Sequence, residues 1–87
     1  MFVILTYDVG QKRGPKVMKL CRKYLFHVQN SVFEGTITDA RLNRLKSELK
    51  ENIDRLADNV CIYEFQSTKY SRKEQIGTTL IYSNIID

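Results

Sequence analysis

Among the residues of this chain that can do chemistry, one carboxylate stands apart. Asp8 closes an apolar run, and Lys12, Arg13, Lys16, Lys19, Arg22 and Lys23 crowd the stretch that follows. Residues 1–33 hold six basic residues and this single acid, whereas residues 34–87 hold eight basic and nine acidic ones. The positive field behind the net charge of +4 therefore belongs to the first half. A lone acid beside clustered cations suits a polyanion and a bridging cation. A solubilising helix face is the plainer use of the same charges. His27 is the only histidine, and its unperturbed pKa lies near neutrality. It can pass a proton or simply pack. Gln29 and Ser31 can hydrogen-bond a backbone or a nucleic acid. Phe33 can stack on a base or join a core.

The elements that must position these residues follow from periodicity. Phe2–Tyr7 is a β-branched and aromatic run of strand length. Val3, Leu5 and Tyr7 share one face, and Phe2, Ile4, Thr6 and Asp8 share the other. Both faces are apolar, so the strand is expected to be central and covered on both sides. Asp8 then lies on a covered face, where a carboxylate is costly without a cation, a donor or a metal. Gly14-Pro15 marks a helix start. Val17, Met18, Leu20, Cys21, Tyr24 and Leu25 make its apolar stripe, with Lys16, Lys19 and Lys23 on the other side. Lys12 and Arg13 lie in the loop between Asp8 and this helix, whose N-terminus itself attracts phosphate.

Val28–Ile37 reads as a second strand, broken near Gly35. Thr38-Asp39 is an N-cap signal. Leu42, Leu45, Leu49, Ile53 and Leu56 then repeat at helical spacing, and this second helix ends before Asp58-Asn59. Its other face mixes signs (Arg41, Arg44, Lys46, Glu48, Lys50, Glu51) and reads as solvated surface. Val60–Phe65 is a further strand. Gln66–Gly77 is a polar hinge carrying Lys69, Arg72 and Lys73. Thr78–Ile86 is a last β-rich segment that must pair with something.

Eighty-seven residues make one small domain, with 1–77 as core and hinge and 78–87 as a terminal strand. No apolar run approaches ~20 residues and no leader pattern is present, so a cytoplasmic protein with no membrane partner is expected. Cys21 and Cys61 fall at apolar positions and are expected to be free core thiols. The order of elements is that of a ferredoxin-like α+β sandwich, βαββαβ with an extra C-terminal strand. Its helices cover one sheet face only. A second copy of the chain is the simplest cover for the other, so a homodimer is expected.

Several of these residues together match a known pattern. Tyr7-Asp8 ends the first strand, and basic residues run on through Lys16. Gln29–Gly35 reads QxSVFEG, Val60–Phe65 follows, and Ile76-Gly77 precedes the terminal segment. Over almost its whole length the chain resembles the family of the second CRISPR-associated protein, a small metal-dependent adaptation subunit also described as an endoribonuclease. The resemblance implies a homodimer whose terminal strand docks on the partner. It also implies that two copies of Asp8 share one divalent ion, usually Mg²⁺, with Mn²⁺ as the alternative. Asp8 is then both catalytic residue and metal ligand. Lys12, Arg13, Lys16, Lys19, His27, Ser31 and Phe33 form the nucleic-acid-binding set. Three features depart from the family pattern: Leu25 follows Tyr24 where a glycine is usual, His27 stands where an arginine is frequent, and Arg13 and Lys16 match the first-helix arginines only loosely.

Two functions compete on this reading. The first is a metal-dependent endonuclease acting on single-stranded RNA or duplex DNA, with Arg13 and Lys16 stabilising developing charge and His27 available for proton transfer. The second is a non-catalytic adaptor that bridges dimers of the CRISPR integrase subunit and holds duplex DNA on its basic faces. A toxin-like ribonuclease of the same fold is a third possibility. A small-molecule regulator is disfavoured by the basic first half.

Overall fold

Each apolar repeat in the sequence becomes an element that buries one side. The computed structural model describes residues 1–66 and 74–77. Within them run β1 (Phe2–Asp8), α1 (Gly14–Arg22), β2 (Phe26–Gln29), β3 (Val32–Thr36), α2 (Asp39–Asn52) and β4 (Asn59–Phe65). The four strands form one sheet in the order β2-β3-β1-β4, and every neighbouring pair is antiparallel. Two helices against one such sheet make the ferredoxin-like α+β sandwich expected from the sequence. The terminal segment Thr78–Ile86, and most of the hinge before it, lie outside the described residues.

β1 is central, pairing with β3 on one side and β4 on the other. Its alternation sorts the two faces. Val3 and Leu5 are buried against the helices, together with Phe33 of β3. They join Val17, Leu20 and Cys21 of α1 and Leu42, Leu45 and Leu49 of α2 in one cluster. Each large apolar side chain removed from water in this way contributes about 1.5–3 kcal/mol. Pro15 opens α1, where its missing N–H costs nothing. The Thr38 hydroxyl accepts from the Arg41 amide at 3.2 Å and caps α2.

Four expectations need correction. The break in the second strand falls at Asn30-Ser31, not near Gly35, and Asn30 takes the left-handed conformation with φ 34°. Asn tolerates that region and gives a two-residue turn between β2 and β3. Leu56 is fully exposed, not part of the α2 stripe. The helix ends at Asn52, and an Asp54–Asp58 turn swings Leu56 outward. The mixed-sign face of α2 is also more than solvated surface. Arg41 stacks over the Tyr24 ring at 4.8 Å and donates to the Lys23 carbonyl, while Glu48 accepts from the Tyr24 hydroxyl, so this face docks α2 on the end of α1. Finally, Cys21 is a free buried thiol as expected, but Cys61 is only half-buried. It lies on the open face because its β1 partner is Thr6.

Candidate functional site

β1 carries Asp8 to the end of the sheet's open face, opposite Asn59 in the β1–β4 ladder. The side chain is exposed. Within the single chain this face is uncovered, and the expected cover is a second copy. Within one subunit both helices pack on the other side, so Asp8 is solvated. No described residue hydrogen-bonds or ion-pairs its carboxylate. Among the described residues no group of three or more His, Cys, Asp or Glu side chains is arranged to hold a metal ion. The donor chemistry still fits Mg²⁺ or Mn²⁺. A hard carboxylate oxygen open to water and phosphate is what Mg²⁺ takes, through one or two carboxylates and several waters. One chain supplies one of those carboxylates.

The loop after Asp8 is tied down by Asp58, a residue that no local sequence signal singles out. The Asp58 carboxylate, its side chain fully buried, accepts from four N–H groups. These are the Gly10 amide at 2.9 Å, the Asp54 amide at 2.8 Å, and Nε and Nη2 of Arg13, the latter at 2.9 Å. The Arg13 hydrogen bond is the main reason the Asp58 carboxyl is held far below the usual carboxylate range; the two amides add to it and burial opposes it. The same bond raises the Arg13 guanidinium. In sequence Asp58-Asn59 is only a turn signal, and nothing nearby links it to a partner 45 residues away.

The other candidates divide into two groups. Lys12, Lys16 and Lys19 are exposed, as expected of phosphate contacts. Lys16, Lys19 and Lys23 line a groove of about 330 Å³ between the helices, where Glu48, Glu51 and Asn52 face them. Ser31 is half-buried, and its carbonyl accepts from the Tyr7 amide at 3.1 Å, which brings the β2–β3 turn to Asp8's end of the sheet.

His27 and Phe33 are not available to a nucleic acid in this fold. Phe33 has no exposed surface and His27 is 4% exposed. They face each other across β2 and β3 and stack with ring centroids 4.5 Å apart. Tyr7 also stacks with Phe33, with centroids 6.2 Å apart. A register irregularity between His27 and Gln29 turns both His27 and Val28 inward, which strict alternation does not anticipate. The His27 ring nitrogens engage the Asn30 carbonyl at 2.5 Å and Arg22 at 3.5 Å. Burial raises the Tyr7 phenol, with Cys21 adding to the shift and Arg22 opposing it.

With this geometry in view, similarity to known proteins is decisive. Residues 1–73 match the family described as CRISPR associated protein Cas2. The chain belongs to the Cas2 family. The Cas2 protein of Dictyoglomus turgidum, named a CRISPR-associated endoribonuclease, is 46% identical over 77 residues, covering 88% of each chain. A solved Cas2 crystal structure superposes with a TM-score of 0.80 at 40% identity, covering 92% of this chain and 90% of that one. Streptococcus pyogenes Cas2 at pH 6.5 gives a TM-score of 0.76 at 37% identity, covering 88% of this chain and all of that one. For a Cas2 domain the open sheet face is notable. It carries Phe26, Tyr63 and Phe65 with 55%, 53% and 36% of their surface exposed, beside Phe2 and Ile4.

Proposed function

We propose that two copies of this chain pair through their open sheet faces and cleave phosphodiester bonds with the help of a divalent ion between their Asp8 carboxylates. The observation that carries this reading is Asp8 itself. It is an exposed carboxylate, engaged by no described residue, at the edge of an uncovered apolar face. Two-fold symmetry doubles one carboxylate into the pair that Mg²⁺ accepts. The metal, Mg²⁺ or Mn²⁺, would supply Lewis acidity and charge at the scissile phosphate.

The chain's own residues do the rest. Lys12, in the loop after Asp8, binds a phosphate beside the cleaved bond, and Lys16 and Lys19 of α1 hold the nucleic acid farther along. Arg13 gives two of its nitrogens to Asp58 and keeps its Nη1 side for a phosphate oxygen. In the reaction a water oxygen forms the new bond to phosphorus, the bridging P–O bond breaks, and the water's proton passes to the leaving oxygen. RNA is the substrate favoured by the name of the Dictyoglomus relative, an endoribonuclease. A cytoplasmic site of action goes with this reading, and no described helix is long and apolar enough to cross a membrane.

A second reading keeps the same surface without cleavage: a dimeric adaptor that holds duplex DNA for the CRISPR integrase subunit. It is favoured by the exposed lysines, for which no ion pair is present among the described residues. Purified wild type and Asp8→Ala separate the two on single-stranded RNA and duplex DNA, with Mg²⁺, Mn²⁺ or chelator. Cleavage is expected only with both metal and Asp8. Asp8→Ala should melt as wild type does, because the site is exposed and surface changes stay within about 0.5 kcal/mol. Equal cleavage by both proteins refutes the nuclease mechanism. Salt-sensitive duplex binding by both, without cleavage, leaves the adaptor.

A further inference from the structure

We infer that Asp58 is a positioning residue for the Asp8 site: its buried carboxylate sets the path of the loop from Asp8 to α1 and the outward edge of Arg13. The inference rests on the reading of Asp8 as the metal carboxylate. Asp58 directly precedes Asn59, the residue opposite Asp8 in the ladder. Its four hydrogen bonds therefore gather three segments around the end of β1: Gly10 two residues past Asp8, Arg13 at the start of α1, and Asp54 in the turn before β4. A flexible loop would leave Asp8 and Lys12 to find their geometry at each binding event. A loop held by a charge-assisted fork has already lost that freedom.

Two further observations point the same way. The fork uses Nε and Nη2 of Arg13, so the guanidinium plane is fixed while the Nη1 side stays unbound among the described residues, and the Arg13 side chain keeps 35% of its surface exposed. A lysine cannot reproduce this, because its ammonium has no second edge to present. Gly10 is also part of the design. A Cβ there would lie 2.6 Å from Arg13 Nη2, so a side chain at residue 10 would push the guanidinium out of its present position.

A purely architectural role for Asp58 makes a different prediction, and the test separates them. Wild type, Asp58→Asn, Arg13→Lys and Ile37→Ala are compared by thermal melting, by Mn²⁺ binding without nucleic acid (electron paramagnetic resonance titration), and by the salt dependence of duplex DNA binding. Ile37 is a buried core residue at the far end of the sheet, where its amide donates to the Met1 carbonyl, so it controls for reduced stability alone. Asp58→Asn is expected to bind Mn²⁺ at least about fivefold more weakly. Its salt slope should fall by about one for each phosphate that Arg13 no longer engages. Ile37→Ala should melt lower yet keep both values. Arg13→Lys should keep the Mn²⁺ affinity closer to wild type than Asp58→Asn does, because Gly10 and Asp54 remain held, while losing the fork-dependent part of DNA binding. It carries the test if Asp58→Asn does not fold, and an unchanged DNA affinity and salt slope in Arg13→Lys then overturns the inference. Unchanged Mn²⁺ affinity and slope in a folded Asp58→Asn overturns it, as does an equal loss in Ile37→Ala. Absence of Mn²⁺ binding by wild type itself overturns the metal reading of Asp8 and this inference with it.

Discussion

Phe33 distinguishes a core aromatic from a nucleic-acid contact, and the two roles differ in what a truncation changes. The ring is fully buried, flanked by His27 at 4.5 Å and Tyr7 at 6.2 Å. Replacing a buried Phe by Ala removes its transfer free energy and leaves a cavity, at a cost of about 3–5 kcal/mol. A domain of this size holds a net stability of the order of 5–15 kcal/mol, so Phe33→Ala consumes about 30–50% of it at mid-range. Each kcal/mol moves Tm by roughly 4–8 °C in domains of 60–100 residues, so the melting point should fall by at least about 12 °C. Phe33→Leu keeps most of the volume but loses both ring stacks, each worth about 0.5–1.5 kcal/mol, so it should cost about 1–3 kcal/mol. The assay is urea and thermal unfolding followed by circular dichroism, with RNA binding measured at a temperature where each variant is folded. Folded Phe33→Leu should bind RNA as wild type does. If the ring stacked on a base, its removal would cost about 1–3 kcal/mol of binding, a five- to 150-fold weaker affinity. A Phe33→Ala protein that melts within about 3 °C of wild type but loses RNA affinity on that scale would refute the core assignment.

The remaining predictions concern assembly and pH. Tyr63→Asp places a charge on the open face, where Tyr63 of β4 is 53% exposed in one subunit. Light scattering coupled to gel filtration should show the dimer weakened by at least about tenfold, near 1.4 kcal/mol, with the domain still folded; an unchanged dimer would move the interface elsewhere. Burial pushes the Cys21 thiol up to about 12. Its ordinary value is near 9, so the unfolded chain ionises first. Stability from the buried thiol is therefore intact below about pH 9 and is lost as pH rises from there toward 12. In urea melts, the decline between pH 8 and pH 10 should be smaller in Cys21→Val than in wild type, by up to about 1.4 kcal/mol per pH unit above 9, and parallel profiles would contradict this. Asp58 has the opposite sign. Its carboxyl is held low, chiefly by the Arg13 hydrogen bond, so its contribution should persist from neutrality down to about pH 4 and disappear in more acid solution. The difference in acid unfolding between wild type and Asp58→Asn reads this directly.

What the chain by itself determined is its elements and their order. Alternation over Phe2–Asp8, the Gly14-Pro15 start, the Thr38 cap and the leucine repeat of α2 are all local signals, carried by residues two to four apart. They also place Asp8 at a strand end and Lys12, Lys16 and Lys19 on an exposed loop and helix. Tertiary structure decided which side chains meet. Arg13 looked like a free phosphate ligand, but Asp58 takes two of its nitrogens across 45 residues of sequence, because β1 and β4 are neighbours in the sheet. His27 and Phe33 could be nucleic-acid contacts or packing residues, and the irregularity before Gln29 decides it: His27 lies opposite Phe33 and both enter the core. Leu56 fits the helical repeat, yet α2 ends before it and leaves it in solvent. Periodicity reports which face a residue occupies within its own element. The partner across a sheet depends on register, and the turn that follows α2 is held at its Asp54 amide by Asp58, which Arg13 and Gly10 fix in turn. Both are properties of the packed chain.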